Sequence, residues 1–197
     1  MTSPSRNQMH EAALLFWRQY IRRPFGVGAV MPSGPKLARA MVDALDPKAN
    51  DIVVELGPGT GAFTRQLIAD GVAPENLVLV ELDRHFAGFL RRQFPRSTVV
   101  QDSAARLPEI LKALGQPKVR CILSGLPLRS MKLNDRRAVT RAVAASLARG
   151  GILTQFSYFH LPPLPEKLAE RSGLQRRRAG VVLSNVPPAV VWRYTKT

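Results

Sequence analysis

Cysteine is almost missing from this chain: Cys121 stands alone among 197 residues, which excludes an internal disulfide framework. Its place inside the apolar run Val119 to Leu123 marks it for burial. The three histidines are scattered and offer no metal-ligand spacing, so no metal is expected. No apolar stretch approaches the ~18 residues needed to cross a bilayer. The N-terminal run Ala12 to Trp17 meets Arg18 at once and is too short for a secretory signal core, so a cytoplasmic protein is expected. Acid is scarce as well: 14 Asp and Glu against 29 Lys and Arg leave a net charge of +15. Such an excess calls for an anionic partner, either nucleic acid or the negative surface of a membrane. The basic residues are local, at Arg18, Arg22 and Arg23, Arg91 and Arg92, Arg136 and Arg137, and Arg176 to Arg178.

What is present begins with residues 51–61, Asp-Ile-Val-Val-Glu-Leu-Gly-Pro-Gly-Thr-Gly. A β-branched run breaks into three alternating glycines, Gly57, Gly59 and Gly61, and a helix-compatible stretch follows. Glycines there let the backbone turn sharply out of a strand and keep side chains away from a ligand. Glu55, two residues before the first glycine, suits a cationic ligand better than a phosphate. The pattern resembles the first motif of class I S-adenosylmethionine-dependent methyltransferases, whose ligand carries a sulfonium and an ammonium. Glu81 closes the next apolar run 24 residues after Gly57, where a nucleotide-binding βαβ unit places the acid that takes ribose hydroxyls. Asp102, 21 residues further on, closes a third run, and the same resemblance implies an adenine contact for it. Gly57-x-Gly59-x-x-Ala62 also meets the loose dinucleotide fingerprint, but Glu55, Pro58 and the extra Gly61 fit the methyltransferase wording better.

Strands are expected at 51–56, 77–81, 98–101, 119–123 and 152–158, the last opened by Gly150-Gly151. Helices are expected at about 35–45 with Ser33 as a cap, 62–70, 84–93, 106–114 and 134–148. A basic, proline-containing connection over 160–178 leads to two final runs, 180–184 and 189–195, read as an antiparallel pair. The plan is α/β: a doubly wound, mostly parallel seven-stranded sheet with a C-terminal antiparallel hairpin. The organisation is an N-terminal segment, 1–31, before one domain, 32–197. In that segment Met9, Ala13, Phe16, Trp17 and Tyr20 share one helical sector over 8–23, opposite Glu11, Arg18 and Arg22. The helix either packs this stripe on the domain or lies in a membrane interface, with Trp and Tyr at headgroup level.

Over nearly its whole length the chain resembles the bacterial phospholipid N-methyltransferases, soluble enzymes that work at the membrane on phosphatidylethanolamine. The resemblance rests on residues 23–33, on Glu55-Leu56-Gly57-Pro58-Gly59-Thr60-Gly61, on Ser124-Gly125-Leu126-Pro127-Leu128, on the strand from Gly151 to Tyr158 with its Gln155-Phe156-Ser157-Tyr158, and on 185–189. It implies S-adenosylmethionine as cofactor, held by Glu55, Gly57, Gly59, Gly61, Glu81, Asp102, Ser103 and Ser124. It also implies a phospholipid substrate, an anionic membrane bound through the N-terminal helix, and a place at the inner face of the membrane. Enzymes acting on ornithine-type lipids look similar. The rival is a ribosomal RNA adenine dimethyltransferase, which needs Asn-(Leu/Ile)-Pro-aromatic after the fourth strand. Here Ser124 and Leu128 occupy those ends, so no nucleic-acid partner is expected. Tyr158 is the first choice to face a methylated ammonium, with Phe156, Phe159, His160, Phe25, Trp17 and Tyr20 as further aromatics. Arg129, Arg177 and Arg178 are the arginines considered for the lipid phosphate.

Overall fold

The strand runs of the first half are apolar at consecutive positions, the pattern of parallel strands covered on both faces. In the computed structural model, which describes residues 34–158, 160–185 and 187–197, β1 (Val53–Leu56) and β2 (Leu77–Glu81) are buried at every position. They belong to a seven-stranded sheet with β3 (Thr98–Gln101), β4 (Val119–Ser124), β5 (Leu147–Tyr158), β6 (Leu174–Val182) and β7 (Ala189–Lys196), ordered β3-β2-β1-β4-β5-β7-β6. The first five strands are parallel, and β7 runs antiparallel between β5 and β6. The N-terminal helix and Ser33 expected from the sequence lie outside the described residues.

Helices cover both faces. α1 (Pro35–Leu45), α2 (Ala62–Ala69) and α3 (Arg84–Gln93) pack on one, and α4 (Leu107–Ala113), α5 (Leu133–Ser146) and α6 (Glu166–Arg171) on the other. Strand alternation divides the core accordingly. Val53, Leu79, Leu123 and Phe156 meet Leu37, Met41 and Leu67 on the first face, while Val54, Val80, Ile122 and Leu153 meet Leu111 and Val143 on the second. Cys121 is wholly buried, and burial pushes its thiol up to about 12. Strand order reverses between β1 and β4, and the crevice beyond their carboxyl ends is where open α/β sheets take ligands.

Two expectations at the C-terminal side need correction. β5 starts at Leu147, so Gly150 and Gly151 lie within the strand and do not open it. Gly150 has φ +75°, and a Cβ on Gly151 would stand 2.8 Å from the Ala148 carbonyl, so only glycine fits this kink beside the register shift at β4. Arg176 to Arg178 belong to β6, which begins at Leu174, and not to a connection. β6 is the edge strand, where charge discourages pairing with another chain. Three consecutive arginines show no alternation, so the strand was hidden from periodicity.

The turn into α2 sets the position of everything above β1. Gly61 caps that helix at φ +77°, and a Cβ there would lie 2.5 Å from Cε2 of Phe94. Gly61→Ala should therefore cost about 2–3 kcal/mol, combining left-handed strain with overpacking. Urea unfolding measures it, and an unchanged midpoint would show that the Phe94 ring yields freely.

Candidate active site

β1 ends level with Ser124, the last residue of β4, and one residue short of the end of β2. Gly57 N donates to the Val80 carbonyl at 2.9 Å, and Gly125 N donates to the Leu56 carbonyl at 2.8 Å, so sheet hydrogen bonding runs one residue past the strand on each side. The chain then turns through Gly57, Gly59 and Gly61, all at positive φ. A Cβ on Gly57 would fall 2.7 Å from Cδ2 of Leu126, while one on Gly59 would meet nothing within 4 Å. Gly57 is thus glycine for packing below, and Gly59 leaves open space above the loop.

The acids gather at this edge. Glu81 is buried, with Oε2 accepting from Gly59 N at 3.0 Å and Oε1 from Asp83 N at 3.0 Å. One carboxylate therefore pins the glycine loop to the start of α3, and each oxygen keeps a second lone pair. Asp102 lies one residue beyond β3; Oδ1 accepts from Ser103 N at 2.7 Å and Oδ2 pairs with Arg106 at 3.1 Å. Ser103 Oγ accepts from Ala105 N at 3.3 Å. Glu55 lies deeper, fully buried against α2, where Oε2 accepts from Thr64 Oγ1 at 2.6 Å and Oε1 has no partner among the described residues. Burial is the main reason its carboxyl is pushed up to about 7; the Thr64 hydroxyl opposes the shift and the charge of Glu81 adds to it.

On the other side of the switch point, Ser124 is buried with Oγ accepting from Leu126 N at 3.3 Å. Tyr158 ends β5, half-buried, its ring edge-on to Phe156 at 5.5 Å, and Phe156 is edge-on to Phe63 of α2 at 5.9 Å. A chain of aromatic edges thus runs from beneath the glycine loop to the end of β5. His160 is exposed, and Phe159 lies outside the described residues, as do Phe25, Trp17 and Tyr20. Arg129 Nη1 donates to the Pro162 carbonyl at 2.9 Å, tying the loop after β4 to the loop after β5. Arg177 and Arg178 are elsewhere. Tyr158 is level with Ala189 and thence Val182, and both arginines lie below that level on the outermost strand.

Sequence reasoning missed three contributors. Thr64 is the hydroxyl under Glu55, three residues past Gly61, and a polar residue on the inward face of α2 was its signal. Leu126 fills the space that Gly57 vacates. Gln155 is buried, its Nε2 donating to the Leu126 carbonyl at 2.9 Å and the Phe156 carbonyl at 3.2 Å, while Oε1 lacks a partner among the described residues. It fixes the loop after β4 from the neighbouring strand.

The family model for ribosomal RNA adenine dimethylase matches residues 33–106. An ornithine lipid N-methyltransferase of Singulisphaera acidiphila is 32% identical over 147 residues, covering 73% of this chain and 76% of that protein. A ribosomal RNA small subunit methyltransferase A of Maridesulfovibrio salexigens is 40% identical over 70 residues, but covers only 36% of this chain and 26% of its own length. Among solved structures, the magnesium protoporphyrin IX methyltransferase of Synechocystis PCC 6803, with bound S-adenosylmethionine, superposes with a TM-score of 0.65 at 14% identity, covering 94% of this chain and 97% of that one.

Buried Glu55 makes stability depend on pH. Its carboxyl binds a proton more tightly in the folded than in the unfolded chain, so its contribution is complete below about 4.5 and is lost as pH rises to about 7. The loss is up to about 3 kcal/mol. Urea unfolding of the cofactor-free protein between these limits should show wild type losing stability relative to Glu55→Gln. Parallel pH slopes would mean that Glu55 ionises like an exposed glutamate.

Proposed function

Because this chain belongs to the class I S-adenosylmethionine-dependent methyltransferases, we propose that it methylates the primary amine of a membrane aminolipid, with phosphatidylethanolamine as the headgroup. The observation that carries the lipid reading is where the two sequence likenesses fall. The ribosomal RNA family match stops at residue 106, within the half of the sheet formed by β1 to β3. The likeness to the lipid enzyme covers 73% of the chain, a length that must include β4 and the loop after it. The segment from Ser124 to Leu128 has a serine and a leucine, both buried, at its ends, without the amide and stacking ring a flipped base requires. An ornithine lipid is the second reading, favoured by the name of the Singulisphaera relative.

In this reading the cofactor lies over the glycine loop. The open space at Gly59, the unpartnered oxygen of buried Glu55, and a carboxyl edge lined with acids support a cationic, phosphate-free ligand there. Glu81 would accept the ribose hydroxyls, and Asp102 with Ser103 would take the adenine amino edge. Gly57, Gly59 and Gly61 would let the backbone approach, and Glu55 would favour its cationic end, with Ser124 across the switch point. Bound there, S-adenosylmethionine supplies an electrophilic methyl group on a sulfonium. The protein's task is positioning. Tyr158 turns its ring to the ammonium, a face that tolerates each added methyl, while Gln155 and Arg129 hold the two loops that frame the amine. Water at the open edge takes the amine's proton. The enzyme works at the inner face of the membrane, held there in part by the aromatic stripe of residues 8–23.

Incubating the protein with labelled S-adenosylmethionine and separated phosphatidylethanolamine, ornithine lipid and ribosomal RNA tests the reading; label in RNA alone would refute it. Glu81→Ala removes the ribose acceptor and the anchor of Gly59, so cofactor affinity should fall at least tenfold, about 1.5–3 kcal/mol for each hydrogen bond to a charged acceptor. Calorimetry on a variant with an intact melt reads it, and unchanged affinity would sink the assignment. Tyr158→Ala should abolish most transfer while cofactor affinity holds, with Tyr158→Phe keeping most of it. Equal rates in all three proteins would leave Tyr158 a packing residue against Phe156.

A further inference from the structure

Large apolar side chains left exposed are not scattered over the described residues. Among the described residues they are Leu82, Leu114, Leu133, Leu161, Val181 and Leu183. All except Leu114 lie at the carboxyl end of the sheet, just beyond β2, β4 and β5 or at the end of β6. Singly exposed leucines are ordinary, but segregation to the edge that carries the site is not. Leu133, Leu161 and Leu183 are 47%, 40% and 76% exposed, and they crown β4, β5 and β6. With β7 between β5 and β6, these strands span about 14 Å at the usual inter-strand spacing.

Basic residues accompany these leucines near β4. Leu133 opens α5, flanked by Lys132 and followed by Arg136 and Arg137, with Asp135 the one acid of that first turn. Cations at a helix N-terminus oppose the helix dipole, so their placement there works against the fold. Arg136 Nε is buried without a hydrogen-bond partner among the described residues. Leu161 is followed by Pro162 and Pro163, and the segment 183–188 after β6 carries no charge. At the opposite, amino edge the acids are largely matched: Asp46 pairs with Lys48, Asp51 with Arg120 and Glu75 with Arg96. The carboxyl edge between β4 and β6 is thus apolar and basic, set beside the acids that line the glycine loop.

We propose that the carboxyl edge between β4 and β6 docks on an anionic phospholipid bilayer, with Leu133, Leu161 and Leu183 entering the acyl boundary and Lys132 and Arg137 meeting lipid phosphates. The inference rests on the aminolipid reading and names the surface that delivers the headgroup, in addition to the N-terminal stripe. Apolar contact and electrostatic attraction together give interfacial binding that salt only partly reverses.

The test compares the full chain with Leu133→Ser/Leu161→Ser/Leu183→Ser and with Lys132→Glu/Arg137→Glu, each checked for an unaltered melt. Partition onto phosphatidylglycerol/phosphatidylethanolamine vesicles in high salt should fall roughly tenfold or more in the leucine variant. In low salt it should fall by a similar factor, roughly tenfold, in the charge variant. Transfer to a short-chain, monomerically dissolved phosphatidylethanolamine should be unchanged in the leucine variant, while transfer to the same headgroup in vesicles drops. Vesicle partition within twofold of wild type in both variants would overturn the docking face, and the N-terminal stripe would then carry binding alone. Loss of RNA binding without loss of vesicle binding in the charge variant would overturn it too, and give the edge to nucleic acid. If leucine-dependent vesicle binding persists but no aminolipid is methylated, the substrate reading fails and the docking surface stands.

Discussion

Everything functional here depends on how the backbone leaves β1. The strand must stay paired to β2 and β4 through Gly57 N and the Leu56 carbonyl, then turn away with no room for a side chain on either flank. Leu126 occupies the place of a Gly57 Cβ, and the Gly57 carbonyl lies 2.8 Å from where a Gly125 Cβ would be. The two glycines therefore face each other across the switch point. Their closeness sets the crevice, and the loop that follows is held by the Glu81 carboxylate and not by a side chain of its own.

Electrostatics follows from that geometry. A chain with net charge +15 buries two glutamates, Glu55 and Glu81, at the end of its central strands. One is satisfied by backbone donors; the other has a single hydroxyl partner and is driven toward the neutral form by burial. Leaving a buried carboxyl half-satisfied costs stability, and such costs cluster where a ligand completes the arrangement. Of the basic clusters, Arg176 to Arg178 lie on the edge strand, Arg136 and Arg137 at the start of α5, and Arg91 and Arg92 at the end of α3.

The first half of the fold was legible because each signal there is local. Glycines mark the turn, apolar runs bounded by polar residues mark parallel strands, and α3 and β2 fall at their expected bounds. The second half was less so. β5 continues through Gly150-Gly151 because β4 pairs with it on both sides of the kink, at Leu147 and again from Ile152. β6 contains Arg176 to Arg178 because an edge strand tolerates side chains that a central one would not. Neither condition can be seen along the chain, since each depends on which strand lies alongside.

By itself the sequence determined the residue types of the glycine-loop edge, the class of fold and the excess of basic charge, since these follow from spacing, periodicity and charge count. Tertiary structure decided which of those residues meet. It placed Thr64 under Glu55, turned Gln155 onto the loop after β4, and linked Arg129 to Pro162. It also moved Arg177 and Arg178 away from the site and gathered Leu133, Leu161 and Leu183 at one end. The reason is topological: strand order departs from chain order at β4 and again at β7, and residues distant in sequence become neighbours only once the sheet is assembled.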